Sequence, residues 1–150
     1  MVDILTKEKR SRNMAAIRSK NTKPEIYIRK QLFRKGYRYR LDYKKIYGHP
    51  DLYLPKYHTA VFVHGCFWHR HAGCKYAYTP KSRLLFWQTK FNANVQRDLF
   101  VQKQLEADQI KCLIIWECTI KRMMKNAETN ENILSSISEF LENTHLRQEL

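Results

Sequence analysis

Between His49 and Cys74 the chain reads HPDLYLPKYHTAVFVHGCFWHRHAGC, a stretch in which a carboxylate, a series of histidines and two cysteines stand close together. Two kinds of chemistry suit these residue types. Asp51, followed by a segment ending in His64, fits a hydrolytic magnesium site. Magnesium takes carboxylate, carbonyl and water oxygens together with substrate phosphate, so one or two protein carboxylates suffice. A histidine that accepts a proton near neutral pH, His64 or His69, can then activate water or assist the leaving oxygen. A turn cap after Pro50 accounts for Asp51 equally well, with the histidines as polar loop residues. Cys66, His71 and Cys74, separated by four and two residues, have the ligand types of zinc, whose structural sites are tetrahedral and closed by four protein groups. Cys118 is the best fourth ligand, while Cys112 lies inside an apolar run and reads as a core residue. Plain burial of small thiols explains the same cysteines without a metal.

These groups need elements to hold them. Proline turns the residue before it away from helix, so His49-Pro50-Asp51 reads as a turn. Asp51–Leu54 and Ala60–His64 then have strand patterning on either side of a return turn at Pro55–His58, which predicts a hairpin with Asp51 and His64 at neighbouring positions. His49 and His58 flank the turns and are assigned to solvent. Gly65–Ser82 has no period and exceeds the roughly 12–15 residues beyond which a structureless loop needs a reason; a bound metal supplies one. Upstream, Thr22 and Glu25 with Pro24 between them form a capping-box signature, predicting a helix through Ile28, Leu32 and Phe33 that stops at Gly36. Capping explains Glu25, although a carboxylate at a helix start can also orient a histidine or hold a water on a metal.

Tyr37–Leu41 alternates as a strand would. Arg83–Leu105 is predicted as a long amphipathic helix carrying Phe86, Trp87, Phe91, Val95, Leu99 and Leu105. Lys111–Trp116 is a continuous apolar run, the pattern of a strand covered on both faces. A last helix contains Ile133, Ile137, Phe140 and Leu141, and residues 143–150 are expected to fray. The order of elements predicts one α/β domain over residues 1–150 with a mixed central sheet.

Lys and Arg number 28 against 14 Asp and Glu, a net charge of +14. Such a charge points to a polyanion, with nucleic acid the commonest. Residues 1–20 read as a basic arm that binds DNA. No apolar run approaches the ~18 residues of a membrane span, and Met1–Arg12 is too charged for a signal peptide. The expected location is the cytoplasm, a reducing compartment in which metal ligation or burial of cysteine is commoner than disulfides. Phe67 and Trp68 lie outside any core period, and Trp87 sits early on the long helix. Such rings can wedge between base steps, or can cover the loop as a small satellite core.

RSRNMAAIRSKNTKPE, GHPDLYLPKY, FVHGCFWHRH, FWQTKFNANVQRD and LIIWEC, in this order, closely resemble the very short patch repair endonucleases. These are bacterial enzymes that nick duplex DNA on the 5' side of the thymine of a T:G mismatch. The resemblance spans about Ser11 to Cys118. It implies a restriction-endonuclease-like three-layer fold with a structural zinc loop, and catalytic magnesium at Asp51 and the backbone carbonyl of Val63. His64 stands where the superfamily places a lysine. His69 is then the general base with Glu25 orienting it, and Cys66, His71, Cys74 and Cys118 hold zinc. Phe67, Trp68 and Trp87 match the aromatic wedge of the major groove. Met14 inserts from the minor groove, and Lys90 and Asn94 read the mismatched bases. The same resemblance implies a monomer associated with the nucleoid and linked to a cytosine-5 methyltransferase and repair proteins. Ala72 and Gly73 separate His71 from Cys74 where some members have one residue, which adjusts the zinc loop. Two other functions fit the composition: a restriction-type nuclease cutting matched DNA, and a non-catalytic zinc-stabilised DNA-binding module.

Overall fold

The computed structural model describes residues 21–150, so the basic arm and Met14 lie outside the described residues. Helix α1 (Lys23–Arg34) begins where its capping residues put it. Thr22 Oγ1 accepts from the Glu25 N–H at 3.4 Å, and Glu25 Oε2 accepts in return from the Asn21 N–H at 2.8 Å. Gly36, at φ +97°, follows the last turn; its N–H bonds to Phe33 O and that of Tyr37 to Leu32 O. That pair of bonds satisfies carbonyls the helix end would otherwise leave open.

Four strands form one sheet in the order β1 (Leu52–Leu54), β2 (Thr59–His64), β3 (Lys111–Trp116), β4 (Arg147–Glu149). β1 and β2 are the predicted hairpin, antiparallel with Leu52 opposite Val61, joined through a short 3-10 turn at Pro55–Tyr57. β2, β3 and β4 run parallel, and the register sets His64 opposite Trp116. The sheet is therefore mixed. Ala60, Phe62, Cys112, Ile114 and Trp116 pack on one face with Val101 and Leu105 of helix α2 (Leu84–Ala107). Val61, Leu113 and Ile115 pack on the other with Ile28 and Leu32 of α1, Ile120 and Met123 of α3 (Glu117–Lys125), and Ile137 and Phe140 of α4 (Ala127–Glu142). Every residue of β3 is buried, because both faces of the strand are covered. Each large side chain buried this way contributes about 1.5–3 kcal/mol.

Three expectations are corrected. Tyr37–Leu41 is not a strand: it makes a single bridge, Arg40 with Tyr53, before Asp42 turns the chain at φ +50°. On α2 the apolar stripe is shifted, since Phe86 and Leu99 are exposed while Phe91 and Leu105 are buried. The half-buried residues between Phe91 and Leu105 are Asn94, Val95, Asp98, Val101, Gln102 and Gln104, so the inward face of the helix carries polar groups. Residues 143–150 are not a frayed tail. Arg147–Glu149 forms β4, and Leu150 donates its N–H to Ile114 O at 2.9 Å while accepting from the Trp116 N–H at 3.0 Å. The backbone groups along that edge of buried β3 require partners, and the tail provides them. Lys111 Nζ reaches across to the carbonyls of Phe140 and Asn143, tying the end of α4 to the sheet.

Candidate active site and metal centre

The hairpin places Asp51 one residue before β1, and its Oδ2 accepts from the Val63 N–H of β2 at 2.7 Å. The loop before it lies tightly against α2. Gly48 adopts φ +92°, and a Cβ there would overlap the side chain of Val101. Glu25, buried on the first turn of α1, lines the same cavity of about 250 Å³ as Asp51, Val63, His64, His69 and Asp98. Burial pushes the Asp51 carboxyl up to about 7; the Val63 N–H opposes the rise and the adjacent Glu25 carboxylate adds to it. Two carboxylates brought together out of water repel each other, and a cation beside them relieves both that repulsion and the desolvation. This donor set of carboxylates fits a hard divalent ion.

His64 ends β2 and is 6% exposed. Burial holds its imidazole well below the usual range, at about 3, with His69 lowering it further. The two rings stack with centroids 3.8 Å apart and planes 6° from parallel. His69 Nδ1 lies 2.7 Å from Asp98 Oδ2 of α2. With the carboxylate oxygen as acceptor, Nδ1 is the donor of this bond, and in the neutral imidazole the free lone pair is then on Nε2. The side chain that orients His69 is thus Asp98, whereas Glu25 sits beside Asp51. Sequence reasoning did not single out Asp98. Its signal was its place seven residues after Phe91 and seven before Leu105, a carboxylate in step with the buried residues of the helix.

Cys66 and Cys118 each stand two residues beyond a paired position of neighbouring parallel strands, His64 and Trp116, so the sheet itself brings them together. The ligand atoms of Cys66, His71, Cys74 and Cys118 all lie within 4.8 Å of one another. His71 Nδ1 is 3.6 Å from Cys66 Sγ and 3.4 Å from Cys118 Sγ. In a tetrahedral zinc site with Zn–S near ~2.3 Å and Zn–N near ~2.0–2.1 Å, sulfur and nitrogen are separated by about 3.5–3.6 Å. The four side chains therefore fit the ion. Burial pushes the Cys66 thiol up to about 12. At Cys74 burial acts in the same direction, but hydrogen bonds from the Tyr76 and Ala77 backbone and the neighbouring thiols outweigh it and favour the thiolate. The His71 ring stacks on Trp116 at 4.2 Å.

The remaining predicted residues gather on the outside of this loop. Phe67 packs edge-on against Trp68, Trp87 and Phe91, with centroids at 5.1, 5.6 and 5.2 Å. Lys90 Nζ lies 5.8 Å from the Trp68 ring, and Asn94 Nδ2 donates to Trp68 O at 3.2 Å. His49 and His58 are exposed, as expected.

Residues 2–75 match the family described as DNA mismatch endonuclease Vsr. The chain is 46% identical over 121 residues to the Type II nicking enzyme V.NmeAIP of Neisseria meningitidis serogroup A, covering 81% of this chain and 86% of that protein. The chain belongs to the Vsr family. It is 40% identical over 134 residues to the Type II nicking enzyme V.XorIIP of Xanthomonas oryzae, covering 89% of this chain and 98% of that protein. Against the DNA mismatch endonuclease Vsr of Escherichia coli K12 the identity is 33% over 141 residues, covering 94% and 88%. As a Vsr family member the protein is an endonuclease with DNA as its substrate. Among the described residues no helix is long and apolar enough to cross a membrane.

Proposed function

We propose that this Vsr family endonuclease nicks duplex DNA on the 5' side of the thymine of a T:G mismatch, as a restriction-endonuclease-like fold adapted to repair. The observation that carries the reading is the placement of Asp51, Glu25, His64 and the His69–Asp98 pair around one cavity at the strand ends. Asp51 and the Val63 carbonyl would hold magnesium, which when bound would supply charge neutralisation at the scissile phosphate. His69 Nε2 takes the proton of the attacking water, and Asp98 holds the ring in that tautomer. His64, stacked on His69, fixes the plane of the base. Glu25 adds negative charge beside Asp51 and strengthens its hold on a cation. Cys66, His71, Cys74 and Cys118 would hold zinc, and closing those four ligands would anchor the loop that carries His69.

Recognition is a separate matter. Lys and Arg contacts to phosphate give affinity that falls with salt and carries no sequence information. A T:G wobble is easier to unstack than a matched pair, so rings inserted from Phe67, Trp68 and Trp87 favour the mismatch. Lys90 and Asn94, which both contact Trp68, read the disturbed bases in this account, and Met14 completes the insertion from the other groove.

The relatives named Type II nicking enzymes carry no mismatch in their names, so a second reading stands beside the first, in which the nick is made in matched DNA. Comparing cleavage of a T:G duplex with its T:A counterpart separates the two: strong preference for T:G supports the repair reading, and equal nicking removes it. Cutting of both strands would indicate a restriction-type nuclease. Asp51→Asn is expected to keep T:G binding and lose magnesium-dependent nicking. Absence of any such nicking in the unaltered protein would leave only a DNA-binding module.

A further inference from the structure

The cysteine–histidine cluster gathers Cys66, His71 and Cys74, but it does not by itself fix the outer part of the Gly65–Ser82 segment against α2. One side chain spans that distance. Arg70, at φ +56°, turns back over its own loop. Its Nη1 donates to Phe67 O at 3.1 Å and to Tyr78 O at 3.0 Å. Its Nη2 donates to Ala77 O at 2.8 Å and to Thr79 Oγ1 at 3.1 Å. The guanidinium also lies over the Phe91 ring of α2, 3.9 Å from the centroid, and 5.7 Å from that of Phe67. A single planar group thereby joins the start of the loop, its end beyond Cys74, and the helix.

We infer that Arg70 is the positioning residue of the aromatic platform, setting the height and tilt of Phe67 and Trp68 against Trp87 and hence the preference for a distorted base pair. This rests on the wedge reading proposed above. Both Nη groups already have two acceptors each, so the fork is saturated within the protein and poorly placed to serve as a phosphate clamp. Phe67 touches Trp68, Trp87, Tyr78 and Phe91 together, so a shift of its carbonyl moves the whole set of rings. Lysine keeps the charge but cannot reproduce a planar four-bond fork stacked on an aromatic ring.

The test uses the full chain with Arg70→Lys, Thr79→Ala and, as reference, Trp68→Ala. For each, the ratio of Kd for a T:A duplex to Kd for a T:G duplex is measured, together with zinc content and the near-ultraviolet circular dichroism of the indole pair, whose centroids lie 5.8 Å apart. Arg70→Lys should lower the ratio by about tenfold, the scale of one aromatic–base stacking contact, and alter the dichroism while zinc content stays unchanged. Thr79→Ala, which deletes one acceptor and leaves the fold intact, should move both in the same direction by less. An Arg70→Lys protein with the original ratio overturns the inference, as does one that loses affinity equally for both duplexes with unaltered dichroism. If instead Trp68→Ala keeps the ratio, the wedge reading itself has failed, and the dichroism of Arg70→Lys still reports whether the rings were held by that side chain.

Discussion

A carboxylate bonded to one nitrogen of an imidazole decides what the other nitrogen can do. Asp98 accepts from His69 Nδ1 at 2.7 Å, and an amide in its place can donate to that nitrogen and reverse the tautomer. Asp98→Asn is therefore expected to lower kcat for nicking by about 10²–10⁴-fold, the range for loss of general-base catalysis and for tautomer reversal in a comparable Asp–His pair. Gel-shift affinity for the T:G duplex should change little; a kcat within threefold of the original would remove Asp98 from this role. Cys112 gives a residue-scale prediction about stability. Burial in β3 pushes its thiol from the ordinary 9.0 up to about 12. Between those values the unfolded chain has released a proton that the folded chain retains, so folding stability falls as pH rises through that window and is unaffected below it. The loss should reach about 1–2 kcal/mol by pH ~10.5. In Cys112→Ala the drop in stability between pH ~8 and ~10.5, followed by denaturant titration, should be smaller by that amount.

At the scale of elements, the hairpin and β3 were legible because their patterns state their burial directly. Cys112–Trp116 is apolar since both faces of the strand are covered, and a proline-marked turn separates Asp51–Leu54 from the β-branched and aromatic run that ends at His64. The inward stripe of α2 was not legible from apolar spacing, because two of its members are Asn94 and Asp98, placed there for what they bond to. β4 was hidden for another reason: Arg-Gln-Glu has no strand character of its own, and its pairing is dictated by the open edge of β3. Cys118 could be found as the fourth member of the cysteine–histidine cluster only as a cysteine just past a strand. The register that brings it to Cys66 is a property of the sheet. Glycines provide a test at this scale. Gly48→Ala combines a positive φ with overlap against Val101 and should destabilise the fold by about 2–4 kcal/mol. Gly73→Ala, at φ +72° with no atom near its added Cβ, should cost only about 1 kcal/mol. Equal denaturation midpoints for the two would mean that the loop before Asp51 does not press on α2 as described.

For the molecule as a whole, the sheet joins two centres of different chemistry. Cys66 and Cys118 extend the same paired strands whose ends carry His64 and Trp116, and His69 sits on the short stretch between Cys66 and His71. On the proposed zinc assignment, treatment with a strong chelator should therefore lower Tm and abolish nicking together. Magnesium alone should not restore activity, whereas zinc followed by magnesium should; full nicking by zinc-free protein would disconnect the centres. The stacking of His64 on His69, with Asp98 arriving from α2, has a further consequence. These three groups come from a strand, a loop and a helix that meet only after the polypeptide has closed on itself. If these groups cut as proposed, a nascent or partly opened chain contains every reactive side chain and yet no working blade, so danger to the chromosome is confined to molecules that have finished folding.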